Sequence, residues 1–178
     1  MRNKKQDGFT TLMVEVLVGL SLLLVFFSVT APSLKTVLQA NNQNNAVMLL
    51  RSVNKSEGYY FRVFHNGYVT PAVLANSNAG QVGTVAAQTC QTPGFLGPET
   101  AASVSVTQTF SGYNYVFTPG AVSPITGSGC ANPGYATYTL TASPITPGAS
   151  GNFFYFTDQT GILRFAAGAP ATATSPSW

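Results

Sequence analysis

Residues 4–31 read Lys-Lys-Gln-Asp-Gly-Phe-Thr-Thr-Leu-Met-Val-Glu-Val-Leu-Val-Gly-Leu-Ser-Leu-Leu-Leu-Val-Phe-Phe-Ser-Val-Thr-Ala. Residues 12–31 carry one charge, Glu15. A helix of about 20 residues is about 30 Å long, the thickness of the hydrocarbon layer of a bilayer. The stretch is therefore read as a transmembrane helix. The basic residues just before it, Arg2, Lys4 and Lys5, hold its N-terminus in the cytoplasm, because positive flanks are retained on that side.

The helical pattern does not end with the apolar run. After Pro32 there is no glycine until Gly58, and Ala46, Leu49, Leu50, Val53 and Tyr60 recur at the spacing of one helical face. One helix is predicted over residues 9–64, apolar all round in its first half and amphipathic in its second. Pro32 removes a backbone hydrogen bond and predicts a kink there. At about 1.5 Å per residue the helix is roughly 80 Å long, so its first half should protrude from a small domain.

Beyond Gly67 the chain turns to Thr, Ser, Gly, Ala, Pro and aromatic residues. Residues 103–109 are a strand candidate. Residues 113–118 place Tyr113, Tyr115 and Phe117 on one face, and residues 135–142 alternate threonines with Tyr138, Leu140 and Ala142. Residues 153–157 and 162–165 flank Asp158-Gln-Thr-Gly161, the pattern of a hairpin connection ending in glycine. Residues 66–99 and 119–133 read as loops, and the tail from Ala167 as frayed. The expectation is α+β: a long helix packed by its second half on an antiparallel sheet of about four strands.

Charge narrows the function. Only 7% of residues are charged, and of the eight Lys and Arg only Arg164 lies beyond residue 62. Nucleic-acid binding needs basic side chains clustered on the folded surface, and here the densest cluster precedes the apolar run. No nucleic-acid partner is expected. His65 and Asp158 could be imagined as a catalytic pair, but no serine lies in a nucleophile motif. His65 suits a helix end and Asp158 a turn, so no enzyme activity is expected. The aromatic group Tyr59, Tyr60, Phe61 and Phe64 reads as helix-to-sheet packing. Two cysteines and one histidine cannot complete a four-ligand zinc site, and neither metal nor cofactor is expected. If the part after the apolar run is exported, a Cys90–Cys130 disulfide is permitted there. Closing a loop of about 40 residues would contribute roughly 4 kcal/mol. The alternative is two unpaired small core residues.

The stretch from Lys4 to Glu15 with the uncharged run behind it resembles the N-terminal signal of the type IV pilin superfamily. In that family a basic leader ends in glycine, a membrane prepilin peptidase cuts after it, and the new N-terminal residue, usually phenylalanine, is N-methylated. A glutamate then neutralises the amine of a neighbouring subunit. The resemblance makes residues 1–8 the leader, Gly8–Phe9 the cut bond, Phe9 the methylated residue and Glu15 the carboxylate of the intersubunit salt bridge. It departs in one respect. Counting from Phe9, Glu15 is seventh where the family has its glutamate fifth, and Pro32 is twenty-fourth where it commonly has proline twenty-second. A two-residue insertion before Glu15 accounts for both. Cleavage before Thr11 would restore the count, but Thr10 suits the peptidase poorly. Leu49-Leu-Arg-Ser-Val-Asn-Lys-Ser-Glu57-Gly-Tyr-Tyr and the segment from Tyr138 to Phe165 are similar, more loosely, to the helix end and closing strands of pilin heads.

What the resemblance implies is a pilin fold, with residues 65–178 as a β-rich head, and a structural filament subunit. Its partners would be copies of itself, the prepilin peptidase, the inner-membrane assembly platform and, before assembly, membrane lipid. Localisation would be the bacterial inner membrane as a single-pass protein, then an extracellular pilus or a periplasmic pseudopilus. The alternatives are a pseudopilin or minor pilin of a type II secretion system, or a signal-anchored surface protein that does not polymerise. A cleaved secretory signal ending at Ala31 is disfavoured by Pro32 after it and Glu15 within it.

Overall fold

A computed structural model describes residues 4–76, 88–104 and 108–178, the side chains of 4–11, 26–33 and 108 excepted. The chain divides into two units, residues 1–38 and 39–178. Helix α1, Lys4–Phe64, belongs to both. It begins before the predicted start at Phe9, ends where the periodicity stops, and passes position 32 as helix. The side chain of Pro32 and the kink predicted there lie outside the described residues.

In the second unit the buried face of α1 carries Ala46, Leu49, Leu50, Val53 and Tyr60, the residues that the helical spacing selects. They share one core with the inner face of a five-stranded antiparallel sheet, in which each strand neighbours the next in sequence. The strands are β1 (Gln108–Phe110), β2 (Tyr113–Pro119), β3 (Tyr138–Pro144), β4 (Phe153–Asp158) and β5 (Arg164–Ala167). Alternation decides what is buried: Tyr113, Tyr115 and Phe117 on β2, then Tyr138, Leu140 and Ala142 on β3. The register sets Tyr115 opposite Ala142 and Ala142 opposite Tyr155, so large and small side chains interleave across the face.

Several expectations need correction. The sheet has five strands, against an expectation of about four. Ser103 and Val104 close a helix, α3 (Pro98–Val104), instead of opening a strand; Val104 is fully buried, and residues 105–107 of that predicted strand lie outside the described residues. Residues 66–99 are not all loop either. Helix α2 (Pro71–Ala75) starts on a proline, whose fixed φ suits a first helical turn, and buries Pro71 and Leu74. β3 begins at Tyr138, while Tyr135 bridges Tyr68 and Val122 outside the sheet.

The C-terminal tail is anchored rather than frayed. The Trp178 ring meets Phe153, Tyr155 and Phe165 edge to face at 5.2–6.0 Å. Its backbone N–H donates to the Leu163 carbonyl at 2.8 Å. The aromatic group at the end of α1 also differs from its reading. Tyr60 is buried, but Tyr59 and Phe61 are half exposed and pack on loop residues, Phe95 and Tyr68.

Candidate assembly surface

The described side chains of residues 12–25 include eleven large hydrophobics, Leu12 to Val25, each 52–65% exposed. Fully burying one such side chain is worth about 1.5–3 kcal/mol, so this half-exposed surface stands to gain on the order of ten kcal/mol by leaving water. Monomeric soluble proteins rarely expose apolar surface on this scale. Glu15 is exposed among them and is their one ionisable member. Leu12, Gly19 and Leu22 share its helical face by spacing, and the space beside Gly19 is open. Ser21 returns its hydroxyl proton to the Val18 carbonyl at 2.9 Å, so it asks no outside partner. Gly8 and Phe9 lie in helical backbone, and their side-chain surroundings are outside the described residues. Among the described residues, no helix is long and apolar enough to cross a membrane. The predicted span, residues 12–31, includes six residues whose side chains are not described.

In the second unit a row of amides continues the buried face of α1 toward its N-terminal side. Gln39 Nε2 donates to the Gly148 carbonyl at 2.6 Å, Asn42 Nδ2 to that of Ser150 at 2.9 Å, and Asn45 Nδ2 to Ser111 Oγ at 3.0 Å. These side chains tie the helix to the β1–β2 and β3–β4 connections. Sequence reasoning missed them, although positions 39, 42 and 45 keep the same three-residue spacing as the apolar face.

Cys90 and Cys130 are joined in a disulfide, with their Cα atoms 5.4 Å apart and a sequence separation of 40. Close by, Tyr60 donates its hydroxyl to the Cys90 carbonyl at 3.2 Å. Asn66 reaches the Asn132 carbonyl and accepts the Gly127 N–H, so the segment after α1 is bound to the loop that carries Cys130. His65 ends α1 through its backbone: at φ +50° its N–H returns to the Phe61 carbonyl at 2.9 Å. Asp158 serves its turn, accepting from Thr160 through Oδ1 while Gly161, at φ +73°, closes the hairpin. His65 and Asp158 thus each have a local backbone role. Glu57, quoted above only as part of a resemblance, is fully buried. Burial pushes its carboxyl up to about 8, against the opposing hydrogen bond from Val69.

Compared with protein-family models, curated proteins and solved structures, the chain matches none.

Proposed function

We propose that this chain is a structural filament subunit of the type IV pilin class. It is cut after Gly8, N-methylated on Phe9, held in the inner membrane by residues 12–31, and polymerised through that helix. The observation that carries the reading is the exposed apolar surface of residues 12–25 with a single carboxylate, Glu15, within it. The core of residues 39–178 is made without that surface, which leaves it available to lipid first and to copies of itself afterwards. The long helix with an antiparallel sheet supports the same reading. The role is structural rather than catalytic.

Glu15 sets the order of events. A carboxylate in hydrocarbon costs several kcal/mol unless a cation meets it. The α-amine that cleavage creates on Phe9 is six residues away, about 9 Å along a helix, too far for contact within one subunit. The amine of a neighbouring subunit is the partner, so the pair forms as the filament grows.

Mass spectrometry of sheared filaments tests this. The mature chain should begin at N-methylated Phe9, and Gly8→Leu should leave the precursor uncut in the membrane. A chain that begins at Ser33, or that keeps Met1, overturns the reading.

A further inference from the structure

Glu57 has no exposed surface. Its Oε2 accepts the Val69 N–H at 3.2 Å, and its Oε1 has no hydrogen-bond partner among the described residues. Among the described residues, no Lys, Arg or His side chain ion-pairs with it. Among the described residues, the titratable groups around it are Tyr60 on α1, Tyr68 on the segment that follows and Tyr138 on β3. Asp158, at the end of β4, acts on the same Tyr68 and Tyr138. Burial pushes all three tyrosine hydroxyls above their ordinary range, so they stay neutral when Glu57 titrates. None of these groups supplies a positive charge. The Val69 bond favours the carboxylate, but one amide does not replace the water that both oxygens lose on burial.

The bond spans two pieces of structure that meet only in the folded head. Glu57 is on α1, and Val69 is buried in the segment that joins α1 to α2. Val69, Tyr60, Asn66 and Tyr135 border a cleft of about 480 Å³.

We infer that Glu57 is a proton-operated latch, which as the neutral acid holds residues 66–70 against α1 and as the carboxylate releases them. Loss of the proton leaves a bare charge in an apolar site, and the charge escapes by turning to water. That movement breaks the bond to Val69 and opens the segment at the neighbouring cleft. The inference does not depend on the filament reading, since every group in it belongs to residues 39–178.

Hydrogen exchange of the peptide covering residues 66–70, in the full chain, tests it from about pH 4.5 to about pH 9. Comparing wild type with Glu57→Gln at each pH cancels the chemical pH dependence of exchange. The two should exchange alike at about pH 4.5, and wild type should exchange about ten-fold faster or more by about pH 8, with the ratio level above that. A ratio that stays constant across the range overturns the latch. Should the glutamine variant fail to fold, infrared spectra of wild type carrying carboxyl-labelled glutamate decide the matter. A protonated carboxyl band at about pH 7 that disappears by about pH 9.5 is the expected result. No protonated band at about pH 7 overturns it.

Discussion

The Tyr138 hydroxyl, rising from the sheet, donates to Asn54 Oδ1 on α1 at 2.8 Å. Asn54 passes its own Nδ2 proton to Thr157 Oγ1 at 2.6 Å, and Thr157 donates onward to the Ile162 carbonyl at 3.1 Å. A polar chain thus crosses the helix–sheet interface, each side chain in it donating to the next acceptor. Such a chain fixes one register between helix and sheet, because a slip would strand buried polar groups. Asn54→Ala removes the acceptor of a buried hydroxyl and should cost about 2–3 kcal/mol, against about 1 kcal/mol for Tyr138→Phe. Urea unfolding of the two variants measures the difference, and equal costs would show that the chain carries no such asymmetry.

The Cys90–Cys130 bridge closes a loop of 40 residues across the segments that border the cleft. Cys130→Ser should lower stability by about 4 kcal/mol in the chain-entropy account. Adding reductant to the wild type should reproduce that loss, and should leave the variant unchanged. Denaturant titration with and without reductant provides both readings.

Trp178 is about half exposed yet touches three rings of β4 and β5. Trp178→Ala should cost about 2 kcal/mol, less than a fully buried aromatic would, because part of the ring already faces water. Thermal unfolding reads the shift. A melting temperature unchanged by the substitution would mean that the tail is not anchored through its ring.

Stability should depend on pH with a definite sign. The Glu57 carboxyl is pushed up to about 8 in the folded protein from an ordinary value of 4.5. Between those values the folded protein keeps a proton that the unfolded chain releases, so stability falls as pH rises, by a few kcal/mol in all. Below that window both states are protonated; above it both are ionised, and the dependence levels off. Glu57→Gln should flatten the curve across the window. Urea midpoints measured at several pH values for wild type and variant give the comparison.

For assembly, Glu15→Ala should leave expression, membrane insertion and head folding intact while reducing filament yield sharply. Glu15→Gln separates charge from shape, since it keeps the size of the side chain and removes the charge. Sheared filament protein per cell is the measurement. Wild-type yield from the alanine variant would mean that the displaced glutamate takes no part in growth.

Local periodicity carried most of the architecture. The core face of α1 was legible because Ala46, Leu49, Leu50, Val53 and Tyr60 repeat at the helical period, and the period itself selects one side. β2 and β3 were legible for the corresponding reason at period two, and the Asp158–Gly161 turn because its residue types are demanded locally. The exposed surface around Glu15 follows from composition alone, since no fold of the remaining residues needs it. The tertiary structure decided what no neighbouring residues encode. Trp178 is ordered by rings on strands that precede it, Asn42 by a carbonyl on Ser150, and the identity of α3 by a buried Val104 that a strand reading would also have accepted. Glu57 is the clearest case. The helical period sets it between Val53 and Tyr60 on the apolar face while its residue type asks for water, and only the arrival of Val69 and the sheet decides that it is buried. Burial of a charge is a property of what closes over it, and that is set by contacts between residues far apart in the chain.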